Sequence, residues 1–244
     1  MTIQVFPDPE SLSQAAADLF VRAAQDAVAS NGRFAVALSG GHSPRQTHRM
    51  LAQSPYCGQI PWDKVHIFWG DERCVPEGDP RHNATVAFDD FISQVPLNED
   101  QIHPILCDKS PRTTAEQYDS LLRDFFGGRT TSCDLIFLGL GEDGHTASLF
   151  PDDPVLNESK RWAKEVFVPE QEMYRVTLTP AFINRGATVV FLVYGAGKAR
   201  VLREVLEGQR RPRVLPAQLI NPVEGKLLWF VDELAASMLT AIGR

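Results

Sequence analysis

Four short clusters in this 244-residue chain carry the means for chemistry. Asp143-Gly144-His145 sets an imidazole beside a carboxylate. A histidine, with an ordinary pKa of roughly 6.5, takes or gives a proton near neutrality, and a neighbouring carboxylate can hold its tautomer. Gly70-Asp71-Glu72-Arg73 adds two carboxylates and a guanidinium suited to bidentate contact with a phosphate or carboxylate. In Ser39-Gly40-Gly41-His42-Ser43-Pro44, two glycines let the backbone approach a ligand closely. Ser43 reads as an N-cap and Pro44 as the first residue of a helix whose unpaired N–H groups suit a phosphate. Gly195-Ala196-Gly197-Lys198 can bring a second positive charge to the same pocket. Each cluster also has a plain reading: a glycine turn before a capped helix, a histidine that opens a helix, a solvated loop salt bridge worth about 0–1 kcal/mol, and a surface lysine.

Strands must position these groups. Phe34–Leu38, Val65–Trp69, Leu135–Leu138, Thr188–Val193 and Leu227–Val231 are short continuous apolar runs, and the first four end in glycine with polar or charged residues. Between them lie helical stretches, the clearest being Ser11 to Ser30, where Leu12, Ala16, Leu19, Ala23 and Ala27 recur at helical spacing before Asn31-Gly32. Another helix runs from Lys198 through Leu206, and a short one follows the last strand. Apolar strands alternating with helices predict an α/β fold, a mostly parallel sheet with helices on both faces. In such sheets ligands bind beyond the carboxyl ends of the strands, which is where the four clusters fall. Ala163–Val168 and Tyr174–Thr179 add weaker strands, antiparallel candidates. With no repeat and no linker, one domain over residues 1–244 is expected, and Pro76 to Arg81 and Gln209 to Pro216 read as surface loops.

Several chemistries drop out. Gly139-Leu-Gly-Glu-Asp-Gly144 matches G-x-G-x-x-G, but any helix from His145 ends by Pro151, and Glu142 and Asp143 would repel a pyrophosphate. No Walker A loop, nucleophile elbow, H-E-x-x-H or His/Cys ligand spacing occurs. Nothing requires a metal round Asp71, Asp143 and His145. His42 can face a ligand; His48 lies on the helix after it, His66 in a strand, and His82 and His103 in polar loops. Phe88, Phe91, Phe125 and Phe126 read as core or cover.

Composition narrows the class. Hydrophobic residues make up 43%, enough for a buried core, and 24 Lys and Arg against 31 Asp and Glu leave a net charge of −7. Such a chain repels nucleic acid and anionic membranes, so neither is an expected partner. No apolar run approaches the roughly 20 residues of a membrane span, and no signal peptide is expected at the Met1 end, so a cytoplasmic protein is predicted. Cys57, Cys74, Cys107 and Cys133 contain no C-x-x-C pair; one or two disulfides are compatible with them, but reduced thiols are the simpler account. A monomer is expected, with a weak homodimer as the alternative.

In order along the chain, Leu38-Ser-Gly-Gly-His-Ser-Pro44, Trp69-Gly-Asp-Glu-Arg73 with Asn83, Leu138-Gly-Leu-Gly-Glu-Asp-Gly-His-Thr-Ala-Ser148, Arg175-Val-Thr-Leu-Thr179 and Gly195-x-x-Lys198 closely resemble the 6-phosphogluconolactonase family, out to Trp229 and Asp232. The resemblance implies a Rossmann-like fold shared with glucosamine-6-phosphate deaminase and ribose-5-phosphate isomerase. It implies cofactor-free hydrolysis of a phosphosugar lactone, 6-phospho-D-glucono-1,5-lactone, in the pentose phosphate pathway. His145 matches the family's proposed general base. Ser39, Gly40, Gly41 and Ser43 match its phosphate loop, with His42 where many relatives carry a small polar residue. Arg73 and Lys198 match its basic groups around the phosphate, and Asp71 and Asp143 match acidic positions. The sister deaminases resemble one another in a glutamate shortly after this histidine; here Phe150 stands there and cannot exchange a proton. Aminosugar deamination is the alternative, and a non-catalytic sugar-phosphate sensor ranks third.

Overall fold

The computed structural model describes residues 1–76 and 78–240; Glu77 and residues 241–244 of the expected 1–244 domain lie outside the described residues. Along the chain run β1 (Thr2–Phe6), α1 (Pro9–Asn31), β2 (Phe34–Leu38), α2 (Arg45–Leu51), β3 (Val65–Trp69) and β4 (Asp71–Arg73). Then come α3 (Asn83–Asp90), β5 (Ile102–His103), α4 (Pro111–Phe126), β6 (Leu135–Leu138), β7 (Ala163–Val168) and β8 (Met173–Leu178). The last elements are α5 (Pro180–Ile183), β9 (Thr188–Val193), α6 (Ala199–Glu207), β10 (Lys226–Asp232) and α7 (Glu233–Ala236).

Seven strands form a parallel sheet in the order β1-β10-β9-β6-β2-β3-β5. Every residue of β2 and β6 is buried, as expected of central strands covered on both faces. The chain winds outward from β2 through β3 to β5, then returns to β6 on the other side of β2 and continues to β9 and β10. That reversal opens a crevice beyond the carboxyl ends of β2 and β6. Ser39 and Gly139, the first residues after those two strands, face each other there, with the Ser39 hydroxyl 3.8 Å from where a Cβ on Gly139 would lie.

A second, antiparallel sheet runs β4-β8-β7. Gly70 links the two sheets: its N–H donates to the Leu38 carbonyl at 2.8 Å, and its carbonyl accepts from Leu178 N–H at 2.8 Å. β4 therefore hangs at the carboxyl edge of the main sheet, above the crevice.

Local details differ from the sequence reading in places. The long helix holds: Asp8 caps α1 through the Ser11 N–H, and Gly32 closes it at φ 74°. At α2, however, Pro44 occupies the cap position and no side chain caps the helix, so Ser43 is not its N-cap. No helix follows His145; Thr146 and Leu149 instead make an isolated antiparallel bridge, with Ala147 at φ 48°. His82 is the buried cap of α3 and His103 lies in β5, stacked on Phe68, so neither sits in a polar loop. Phe88 is exposed rather than core. Reduced thiols are not found throughout: Cys74 and Cys107 form a disulfide, while Cys57 and Cys133 are free. The fold brings their Cα atoms to 5.1 Å across 33 residues of sequence, a proximity that spacing along the chain does not reveal. Among the described residues no helix is long and apolar enough to cross a membrane.

Candidate active site

One cleft of about 300 Å³ gathers Ser39, Gly40, Gly41, His42, Ser43, Asp71, Arg73, His145 and Lys198, nine of the ten residues singled out from sequence. The tenth, Asp143, reaches the cleft only through His145. Its Oδ1 lies 2.6 Å from His145 Nδ1 and also accepts the His145 backbone N–H at 3.1 Å. Burial pushes the Asp143 carboxyl up, but these bonds and the charge of His145 outweigh it, and the net shift is downward. An ionised Asp143 can only accept, so Nδ1 carries a proton, and in the neutral imidazole the lone pair is on Nε2.

Gly141 makes room for this pair. A Cβ there would lie 2.1 Å from His145 Nδ1 and 2.5 Å from Asp143 Oδ1, so any larger residue displaces the imidazole. The Gly141 N–H also donates to the His145 carbonyl at 2.8 Å, closing the loop on itself. On the imidazole's other side the Phe150 ring packs with centroids 4.4 Å apart.

The cationic side comes from the antiparallel sheet. Alternation along β4 sends Asp71 and Arg73 to one face and Glu72 to the other. Register pairs Arg73 with Arg175 of β8, which puts both guanidinium groups on the same face. Arg175 also lines the cleft. It is buried, with Nη1 3.5 Å from Asp71 Oδ2 and Nη2 donating to Gln171 Oε1 at 2.6 Å. Burial lowers its pKa, against the pull of Asp71. Asp71 is itself fixed by Ser148 Oγ, which donates at 2.6 Å. Arg73 Nη1 donates to the Arg81 carbonyl at 2.8 Å. The Lys198 backbone N–H donates to the Gly195 carbonyl at 3.0 Å, but among the described residues its ammonium makes no hydrogen bond or ion pair, which leaves it available to a ligand. Tyr194, whose pKa burial raises against a hydrogen bond with Ser43, completes this wall.

Charge is thus split along the cleft. Arg73, Arg175 and Lys198 line it, whereas the hollow behind His145 and Phe150, about 650 Å³, is lined by Glu142, Asp143, Asp152, Asp153 and Glu170. Such a site suits a small molecule with an anion at one end and a neutral, hydrolysable group at the other. Among the described residues no three His, Cys, Asp or Glu side chains gather as metal ligands.

Sequence reasoning quoted Arg175 and Ser148 within the family motifs without giving either a role in the site, and it missed Tyr194. Arg175 did leave a signal, a lone cation in the run Tyr174-Arg-Val-Thr-Leu178, since a buried arginine needs a partner or a ligand. Tyr194 left none.

Comparison with known proteins agrees with this layout. Residues 7–229 match the family model for glucosamine-6-phosphate isomerases/6-phosphogluconolactonase. The chain is 34% identical to a 6-phosphogluconolactonase of Nostoc sp. over 244 residues, covering 98% of each protein. Among solved structures it superposes on a 6-phosphogluconolactonase of Trypanosoma cruzi with TM-score 0.86 and 25% identity, over 98% of this chain and 97% of that one. A monomeric glucosamine-6-phosphate deaminase shares the fold, with TM-score 0.84 at 20% identity, over 98% of this chain and 100% of the other. The chain belongs to the glucosamine-6-phosphate isomerase/6-phosphogluconolactonase family.

Proposed function

We propose that this chain is a cytoplasmic hydrolase that converts 6-phospho-D-glucono-1,5-lactone to 6-phospho-D-gluconate, the lactone step of the oxidative pentose phosphate pathway. One observation carries the reading within the family: His145, oriented by Asp143, faces a cleft whose other wall holds Arg73, Arg175 and a free Lys198. The phosphate sits against the Ser39–Ser43 turn, Arg73 and Lys198. Each charge-assisted hydrogen bond there contributes about 1.5–3 kcal/mol. That binding sets the lactone C1 before the imidazole.

In this mechanism Nε2 of His145 takes a proton from water as the water oxygen attacks C1. The tetrahedral oxyanion is held by backbone N–H groups of the loops lining the cleft. The C1–O5 bond then breaks, and His145 returns its proton to the departing ring oxygen. Asp143 stabilises the imidazolium between the two transfers. General base catalysis of this kind is worth about 10²–10⁴ in rate. No cofactor enters the scheme.

Phe150 argues against the deaminase alternative. It occupies the place where the resemblance puts the deaminases' glutamate, and it packs on His145 without any group that can move a proton. The test is turnover of freshly generated 6-phosphogluconolactone above its spontaneous hydrolysis, with ammonia release from glucosamine 6-phosphate measured alongside. Lactone turnover without ammonia is the expected result; ammonia without lactone turnover contradicts the proposal.

A further inference from the structure

Glu72 stands between two cleft residues, Asp71 and Arg73, yet its side chain is fully buried on the opposite face of β4 and does not line the cleft. Its carboxylate draws together parts of the molecule that are distant in sequence. Oε1 accepts the backbone N–H of Arg73 at 2.7 Å and of Asn83 at 2.7 Å. Oε2 accepts the Ala84 N–H at 2.8 Å and lies 3.4 Å from His82 Nε2. His82 Nδ1 accepts the Thr85 N–H as the cap of α3, a role that leaves the proton of a neutral ring on Nε2, beside the carboxylate. Burial pushes the Glu72 carboxyl up to about 7, but these neighbours only donate, and a protonated acid would find no acceptor among them.

Through Asn83 this network reaches the phosphate turn. The Asn83 Nδ2 donates to the Asp71 carbonyl at 2.9 Å. Its side-chain amide lies flush on Gly40, since a Cβ at Gly40 would fall 2.0 Å from Asn83 Oδ1. The turn after β2 and the strand that bears Arg73 are therefore braced against each other by the first residue of α3, and Glu72 holds that residue in place. Arg73 is tied to the same segment a second time, through the Arg81 carbonyl. The loop that carries His145 is closed by Gly141 and Asp143 and meets β4 through Ser148, whose Oγ donates to Asp71, not through Glu72 or Asn83.

We infer that Glu72 is a positioning residue: from behind the cleft, its carboxylate sets the spacing between Arg73 and the Gly40–Gly41 turn, and with it the affinity for the substrate's phosphate. The inference rests on the phosphosugar lactonase reading and assigns Glu72 no contact with substrate. Glu72→Gln keeps the volume but turns an amide N–H₂ toward one set of donors, which pushes α3 and Asn83 away from the turn. Misplacement on this scale weakens phosphate recognition by about 10-fold or more.

The test compares wild type and Glu72→Gln on 6-phosphogluconolactone and on unphosphorylated gluconolactone, with calorimetric binding of 6-phosphogluconate as a readout independent of turnover. The expected result is a KM for the phosphorylated lactone raised about 10-fold with kcat within about twofold. The Kd for 6-phosphogluconate rises in parallel, and kcat/KM for the unphosphorylated lactone does not move. Equal losses on both substrates indicate a general folding defect and overturn the inference, as does an unchanged KM. If Glu72→Gln does not fold, Asn83→Ala reads the same split, because it removes the wedge on Gly40 while its backbone N–H still reaches Glu72; an unchanged KM and Kd there overturn the inference. Should wild type bind 6-phosphogluconate without hydrolysing the lactone, the lactonase reading fails, and the binding arm alone decides the role of Glu72.

Discussion

At one end of the cleft, Arg73, Arg175 and Lys198 gather positive charge from separate elements, backed by the second sheet and the start of α3. At the other end His145 stands on a single glycine-rich loop, with Asp143 behind it and carboxylates around the adjoining hollow. The first end is over-determined, with each charged group tied by a strand register or a hydrogen bond, Lys198 excepted. The second depends on one short loop, closed by the hydrogen bonds of Asp143 and Gly141 to His145 and by the missing Cβ of Gly141. The difference divides the labour. In the proposed reaction, binding energy collected on a remote phosphate is spent on placing the reacting carbon, while a compact dyad moves the proton. On that proposal a chain of net charge −7 holds a phosphorylated sugar because cations are gathered along one wall of the cleft.

The largest effect should come from breaking the proton-transfer end. His145→Ala is expected to lower kcat by about 10²–10⁴ while KM for the phosphorylated lactone stays within a few-fold. Steady-state kinetics above background hydrolysis reads this directly, and a variant with wild-type kcat removes His145 from the role of base. Gly141→Ala probes the same end without touching a reactive group. Its Cβ would collide with the imidazole, so kcat should fall by about 10–100-fold with little change in KM. A fall in phosphate affinity instead would show that the two ends are not separate.

Breaking the binding end should look different. Arg73→Ala and Lys198→Ala are each expected to raise KM for the phosphorylated lactone by about 10–100-fold and to leave kcat/KM for unphosphorylated gluconolactone nearly unchanged. Equal losses on both substrates would take these residues out of phosphate recognition.

The smallest effect on turnover concerns the scaffold beside the Gly40–Gly41 turn, where the change is read in stability. His48 of α2 is buried with Nε2 unpartnered among the described residues, and burial pushes its pKa down from 6.5 to about 4. The folded protein keeps it neutral while the unfolded chain protonates it first. Its contribution to stability is therefore intact above about pH 6.5 and is lost as pH falls toward 4, by about 3 kcal/mol at most. His48→Leu should flatten the acid limb of Tm against pH over that window without lowering Tm at pH 8. A parallel shift at all pH values would contradict this account.

Much of this was legible from residue order. β2, β3, β6, β9 and β10 are fully or largely buried runs whose apolar continuity survives in any context, and the glycine-rich ends of the first four mark the crevice. β7 and β8 were visible as weaker strands, but β4 was not, because its three residues are too few for a period and its partner lies about a hundred residues on. Without β4 the alternation that turns Asp71 and Arg73 inward and Glu72 outward is hidden, and so is the match of Arg73 with Arg175. β1 and β5, at the edges of the main sheet, were likewise missed; β5 has only two residues, and β1, as long as β2, is largely exposed and broken by Thr2 and Gln4. The Cys74–Cys107 bridge and the Asn83–Gly40 contact arise from tertiary proximity alone. By contrast, Asp143 and His145 were found because the pair is local: two residues apart on a turn, they need little else to meet.

The central claim is that phosphate binding at one end drives chemistry at the other. It is tested most directly by the ratio of kcat/KM for 6-phosphogluconolactone to that for unphosphorylated gluconolactone in the wild-type protein. Loss of the charge-assisted contacts predicts a ratio of about 10² or more in favour of the phosphorylated substrate. A ratio near one would mean that the cationic wall plays no part in turnover, and the division of labour between the two ends would be wrong.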